Sequence, residues 1–341
     1  MGGAAFEAKR RWRPPAVVMA IAFGVLAGGL LVLASGANPF EAYAQILFGA
    51  LAPENLPNTL NWAVPLVGMT LCAAIPLRGG MINLGGDGQM VIGGLAAALI
   101  PLHLPLPGPL LTIVALAAAA LAAGLYAALA AWGEVRHGIP TLISSLLLSY
   151  PAIGVTSYIV GFPLRDTTTG LAQTAMIPLA ARLPVITGVL NSGILIIVGV
   201  ALLTVFVDRR TVAGYELRMR GQNVRFAAYG GVRLERQAIG VMFMSGAVAG
   251  LVGAIVVLGG QFRFTDGALL SPAYTWSGLM AALLANGEPV GAVTAGLFFA
   301  ALQTGGFAMQ RETAVPRVLT LVLQSIVILF LAVRHGIERR R

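Results

Sequence analysis

The stretch PLLTIVALAAAALAAGLYAALAA, Pro109 to Ala131, carries no charge over 23 residues. As an α-helix rising 1.5 Å per residue it is about 34 Å long. That is enough to cross the roughly 30 Å hydrocarbon core of a bilayer. Similar runs recur along the chain. Their spacing predicts helices over about 16–35, 58–77, 88–103, 109–131, 140–160, 190–207, 237–258, 274–286, 289–304 and 316–333. The reading is an all-α polytopic membrane protein with about ten transmembrane or part-spanning helices.

Composition agrees. Of 341 residues, 57% are apolar and 10% charged, against about 25% charged in soluble domains. A disordered chain, a disulfide scaffold and an ordinary soluble enzyme are excluded. The one cysteine, Cys72, lies in an apolar run and reads as helix packing. His103, His137 and His335 lie far apart, so no metal site is expected. The one lysine, Lys9, has no glycine loop around it, which rules out a conventional phosphate-binding loop in this chain. The net charge of +9 is broken up by apolar spans. It fits membrane topology better than a nucleic-acid partner.

With the N-terminus inside, 17 of the 22 basic residues fall on the cytoplasmic side, leaving Arg165, Arg182, Arg263, Arg311 and Arg317 outside. An even number of spans makes both termini cytoplasmic. The chain then divides into a basic N-terminus (1–15), one transmembrane domain (16–333) and a basic tail (334–341). The run 16–35 is long for a signal peptide and reads as an uncleaved first helix. The segment 39–52 is too short to span and reads as an interfacial helix on the outer surface. The spans 274–286 and 289–304 are short and read as a hairpin that does not fully cross. Gly246 and Gly250, four residues apart, read as a close helix contact.

Two segments carry more information. In the first, Arg78 to Gln89, glycines interrupt a helix between two apolar spans and leave Asn83, Gly85, Asp87, Gly88 and Gln89 together. Broken backbone is tolerated in a bilayer only where it is buried in protein or lines a cavity. Asp87 falls where a helix dipole favours an anion, near the expected inner face. The alternative is that Asp87 and Gln89 only cap and anchor the helix. The second segment is the long inner loop 208–236. It reads as two short helices separated by Gly221-Gln222-Asn223, with Asn223 capping the second. Phe226, Ala227 and Tyr229 would form an apolar side, and Arg218, Arg220 and Arg225 a basic rim. A loop this long and mixed suits a docking surface for a cytosolic partner. The plainer reading is a loop facing lipid headgroups.

These segments carry a family resemblance. Gly80-Met81-Ile82-Asn83-Leu84-Gly85-Gly86-Asp87-Gly88-Gln89 resembles the "G-L-F-N-I-G-x-E-G-Q" stretch of membrane subunits of ABC importers for nucleosides, simple sugars and branched-chain amino acids. Gly214 through Gly231 is similar to their "G-x-x-L-R-A-x-G-x-N-x-x-A-A-x-x-x-G" loop. Ser245 through Gly253 is similar to "S-G-A-L-A-G-L-A-G". Asp87 stands where glutamate is usual, and Met219 where alanine is usual. Length places the chain nearest the longer of two permeases paired in nucleoside importers.

The resemblance implies a permease forming the path for a small polar solute. It implies a second, related permease, an ATPase subunit with two ABC cassettes and an extracytoplasmic substrate-binding lipoprotein. ATP and magnesium would be used by the ATPase, with no cofactor in this chain. The location implied is the bacterial cytoplasmic membrane. The loop would couple to the ATPase through Gly214, Glu216, Arg218, Arg220, Gly221, Asn223, Phe226 and Ala227. Arg165, Arg182 and Arg263 are candidates for docking the delivery protein. Asn58, Asn61, Asn83, Gln261 and Gln303 are candidate liners of the path. The rival reading is an ion-coupled secondary transporter. It would not need the long loop, and it would call for more carboxylates within the spans.

Overall fold

Helix α3 (Leu56–Arg78) is the axis of the bundle: every residue from Ala63 to Ala74 is buried. The coordinates are a computed structural model that describes residues 16–34, 36–313 and 322, with side chains from residue 22 onward. The segment 1–15, the expected span 316–333 and the tail 334–341 lie outside these described residues, apart from the single position 322.

The other helices are α1 (Ala16–Ala34), α2 (Pro39–Leu51), α4 (Gly86–His103), α5 (Gly108–His137), α6 (Thr141–Gly161), α7 (Gly193–Arg210), α8 (Val212–Gln222), α9 (Val224–Tyr229), α10 (Leu234–Val256), α11 (Tyr274–Leu284) and α12 (Pro289–Glu312). A π turn, Val257–Gln261, extends α10. Around α3 pack α12, α11, α10 and α7, while α10 in turn lies against α4 and α5.

Nine of the ten expected spans coincide with helices. Five helices (α3, α5, α6, α12 and α10 with its π turn) are long and apolar enough to cross a membrane. There are up to six if residues 22–34 and 39–51, bent by 119°, form one span. The described residues therefore do not reach a count of about ten. Helix α4 opens on polar Asp87 and Gln89, α7 closes on Asp208-Arg209-Arg210, and α11 has only 11 residues.

The expected short hairpin is corrected in its second arm. Helix α12 runs for 24 residues, because the helix continues through Gly305, which packs on α2, and the buried Gly306 rather than ending there. Helix α2 exists as expected. Its inner face, Ala42, Ile46, Gly49 and Ala50, is buried, with Gly49 against Ala308 and Gly305 against Ile46.

The small-residue contact reading holds. Gly246 meets Ala123 and Ala127 of α5, while Gly250 meets Ala119 and Ala123 on one side and Gly93 of α4 on the other. Small side chains let three helices approach closely, so packing rather than hydrophobic transfer holds them in lipid. One element was not expected. Strands β1 (Val185–Thr187) and β2 (Leu190–Asn191) form an antiparallel hairpin before α7, pairing Val185 with Asn191 and Thr187 with Leu190.

Candidate functional site

Two ends of the bundle can be told apart by what they hold. Helix α3 ends, α7 ends and α12 begins at a common charged end. There Arg78 grips the buried Asp208 with two hydrogen bonds, Nε to Oδ1 at 3.0 Å and Nη2 to Oδ2 at 3.2 Å. Arg218 of α8 reaches the same carboxylate at 3.4 Å. A side-by-side Arg–carboxylate pair fixes orientation as well as charge. Next door Arg209 donates to Glu288 at 3.1 Å, and Glu288 caps α12 by accepting the Gly291 N–H at 2.6 Å. The desolvation of Glu288 acts to raise its pKa. The hydrogen bonds from Gly291, Arg209 and Val290 outweigh it and hold the carboxyl below its ordinary value.

The loop 208–236 sits on this charged end. Thr211 caps α8 by accepting the Gly214 N–H, and Asn223 caps α9 by accepting the Phe226 N–H at 3.0 Å. The two short helices and the capping role of Asn223 match the sequence reading, except that α8 runs through Gly221 and Gln222. Gly221 packs on the carbonyl of Arg78, and Gly214 packs on the backbone of Val207 and Asp208. Gly80, at φ +73°, makes the turn out of α3 and lies 3.7 Å from Gly221 where a Cβ would be. A side chain at Gly221 would pry α8 off α3.

The loop residues then divide. Asn223, Arg225, Phe226 and Tyr229 are exposed, and Glu216 is half-buried. Phe226 is 62% and Tyr229 92% exposed. Ala227 is buried and seats α9. Arg218 faces Asp208. Arg220 is turned inward, where it donates to the Leu234 carbonyl at 3.1 Å. Burial lowers the Arg220 pKa, with Glu134 acting the other way. A cavity of about 630 Å³ opens beside the clamp. Its walls include Ile75, Leu203, Val241 and Met244, and its edge carries Arg78, Asp208, Arg233 and Arg236.

The broken segment does something the sequence did not show. After Arg78 the chain turns back into the bundle in extended form, and α4 begins at depth. Gly86 lies against Met69 and Thr275, and Gly88 against Ser149 and Ala152. Asp87 is therefore deep in the bundle rather than near the inner face. It adjoins Thr275 without a well-formed hydrogen bond: Asp87 Oδ1 and Thr275 Oγ1 are both buried and unpartnered among the described residues.

Asn83 holds this re-entrant stretch. Its Nδ2 donates to Gln89 Oε1 and to Ser245 Oγ, both at 2.8 Å. Its Oδ1 accepts from Gln89 Nε2 at 3.0 Å and from the Gly85 N–H at 2.8 Å. All four hydrogen-bonding positions of the amide are used. Ser245 donates in turn to the Cys72 carbonyl at 2.6 Å, and Ser145 Oγ accepts the Leu84 N–H at 3.0 Å. Asn83, read as part of the broken segment and as a candidate path liner, ties α3, α4 and α10 together.

At the opposite end, residues 172–183 pair with 258–266. Thr174 donates to Phe264, Ile177 to Phe262 and Leu183 to Leu258. Of the three candidate docking arginines, Arg182 and Arg263 lie in this layer and Arg165 lies beside it, where the Asp166 N–H donates to the Gln173 carbonyl. Arg263 pairs with Asp166 at 3.7 Å. Arg182 donates to the Ile177 carbonyl and lies 4.6 Å over the Phe262 ring. Arg165 donates to the Gly170 carbonyl. The Thr168 hydroxyl and N–H hold the Asp166 pKa below its ordinary value, with Arg263 adding to the effect.

Beside this layer the far ends of α3 and α12 flank an open cavity of about 570 Å³, lined by Asn55, Asn58, Trp62, Thr304, Phe307, Gln310 and Arg311. Of the remaining path candidates only Asn58 lines it. Asn61 is half-buried on α3, while Gln303 and Gln261 each bury an Oε1 that has no hydrogen-bond partner among the described residues. The sequence reading missed Arg78 with Asp208, and Trp62 with Phe307. Opposite charges at two span ends on one face were the available signal for the first pair.

Comparison with known proteins adds the following. A family model described as the permease component of the branched-chain amino acid transport system matches residues 55–332. A glucose ABC transporter permease protein of Haloferax volcanii is 30% identical over 95% of this chain and 88% of its own length. A guanosine ABC transporter permease protein of Bacillus subtilis is 28% identical over 94% and 93%. A nucleoside ABC transporter permease protein of Lactococcus lactis subsp. cremoris is 28% identical over 94% and 91%.

Proposed function

The chain belongs to the branched-chain amino acid transport system permease family, and on that premise we propose that it is the membrane subunit of an ATP-driven importer, carrying a nucleoside or simple sugar across the bacterial cytoplasmic membrane. The chain is a multi-pass membrane protein by family and by its apolar helices. The cargo reading draws on relatives that carry guanosine, nucleosides and glucose in their names.

The observation that carries the mechanism is the platform α8–α9. It presents Phe226 and Tyr229 outward while Arg218 and Gly221 of α8 fasten it to the ends of α7 and α3, and Ala227 is the buried residue of α9. A separate ATPase with two cassettes would seat this platform and use the ATP and magnesium. Displacement of the platform passes to α3 and α7 through Asp208, since packed helices move as stiff bodies. In this reading the charged end is cytoplasmic. The paired layer of Arg182 and Arg263, with Arg165 beside it, faces outward and meets the delivery lipoprotein. A second, related permease completes the path, in keeping with the resemblance to the longer of two paired permeases.

The test is ATP-dependent uptake of labelled guanosine and glucose into proteoliposomes holding the whole transporter. Uptake of one solute that requires the ATPase and is lost on deleting Gly221 to Phe226 is the expected result. Uphill transport by this chain alone on an ion gradient would refute the proposal.

A further inference from the structure

The cavity between the far ends of α3 and α12 has walls of a particular chemistry. Trp62 stands in an aromatic group, with ring centroids 5.6 Å from Phe307 and 5.7 Å from Tyr274. Around the aromatic wall are three carboxamides, Asn55, Asn58 and Gln310, and one cation, Arg311. Asn55 stands at the N-cap of α3 yet its side chain makes no capping bond, so its amide is not spent on the helix. Among the described residues, no carboxylate lines the cavity. Its volume of about 570 Å³ falls within the roughly 300–1,000 Å³ of small-molecule sites.

We infer that this cavity binds a nucleoside, with the planar base against Trp62 and Phe307 and its polar edge read by Asn55, Asn58, Gln310 and Arg311. Aromatic side chains stack bases whatever their sequence, and carboxamides offer the paired donor and acceptor that a base edge requires. Arginine suits the acceptor edge of a purine such as guanine, where a carbonyl and a ring nitrogen lie side by side. Residues 62 and 78 of α3 are about 24 Å apart along the helix. The cavity therefore stands at the end of the bundle remote from the Arg78–Asp208 clamp, where an incoming solute is met first. The inference rests on the transport reading above and narrows its cargo from nucleoside or sugar to nucleoside.

The experiment is photolabelling of the full-length chain in lipid nanodiscs with 8-azidoguanosine, followed by peptide mapping. Label is expected in the peptides holding residues 55–62 and 304–311, displaced by unlabelled guanosine and not by glucose. Trp62→Leu is expected to lower labelling roughly tenfold, the loss of about one stacking contact. Asn58→Leu, at an exposed position where folding is not at stake, is expected to lower it several-fold. Label confined to other peptides, or labelling unchanged in both variants, overturns the inference. Displacement by glucose as readily as by guanosine overturns it too. If the whole transporter takes up guanosine on ATP while label falls elsewhere, only the placement of the site fails. If ATP drives no nucleoside uptake, the transport reading falls and takes this inference with it.

Discussion

Arg78 and Asp208, 130 residues apart in sequence, are joined by two hydrogen bonds at 3.0 and 3.2 Å, with the Asp208 side chain 6% exposed and that of Arg78 25%. Removing one partner of a buried pair leaves an uncompensated charge, at about 3–5 kcal/mol in a dry interior. Partial exposure of Arg78 reduces this. Asp208→Ala is expected to cost about 2–3 kcal/mol in thermal unfolding of the detergent-solubilised protein. Arg78→Ala should cost less, because Arg218 remains 3.4 Å from the carboxylate. Equal losses in the two variants would show that Arg218 contributes nothing.

Phe226 and Tyr229 are expected to separate partner binding from folding. Both are exposed, so Phe226→Ala and Tyr229→Ala should shift stability by no more than about 0.5 kcal/mol. In the assembled transporter they should raise the dissociation rate of the ATPase by tenfold or more and reduce ATP-coupled uptake in step. Ala227→Asp should behave in the opposite way, melting α9 from its seat. Calorimetry and surface-plasmon kinetics on the same three variants distinguish the two classes.

Asn83 uses its whole amide within the bundle. Asn83→Ala leaves Gln89 and Ser245 without those bonds in a buried setting, at about 1–3 kcal/mol for each unsatisfied group. A loss of about 2–3 kcal/mol is expected, with faster hydrogen exchange at Leu84 and Gly85. If unfolding is unchanged, the re-entrant stretch is held by packing alone.

Glu288 gives a prediction with a sign. Its folded-state pKa lies below the ordinary value of 4.5, so its stabilising effect is present above that value and is lost as pH falls through the depressed pKa. The carboxylate and Arg209 are both substantially exposed, so the ion-pair share is small, about 0–1 kcal/mol. The melting temperature of Glu288→Gln should lie slightly below that of the parent at pH 7 and converge with it in acid. A gap that widens on acidification would reverse the assignment.

Much of the architecture could be read from periodicity, because apolar runs of bilayer length leave little choice. The break at Asn223 was readable as well, since a side chain that caps a helix advertises its position. The end of α12 was not, because Gly305-Gly306 looks like a stop until Gly305 is known to meet α2 at close approach. Nor was the depth of Asp87 readable: hydropathy gives the order of polar residues along the chain, but not that residues 79–85 double back. The inward turn of Arg220 and the Arg78–Asp208 pair depend on contacts between distant segments, which no local pattern encodes. The amide-rich cavity was glimpsed only through Asn58, because its aromatic wall comes from two helices more than 200 residues apart.

Helix α3 has one extremity in the charged clamp and the other in the wall of the amide and aromatic chamber, with a buried proline, Pro65, between them. A rod about 34 Å long pivoting at its centre carries its tips in opposite directions. A tilt of about 5° moves each tip by roughly 1.5 Å, half the length of a hydrogen bond. A lever of this kind links the two extremities with no partner at all, and the same arithmetic applies to α12, which spans the same distance in reverse.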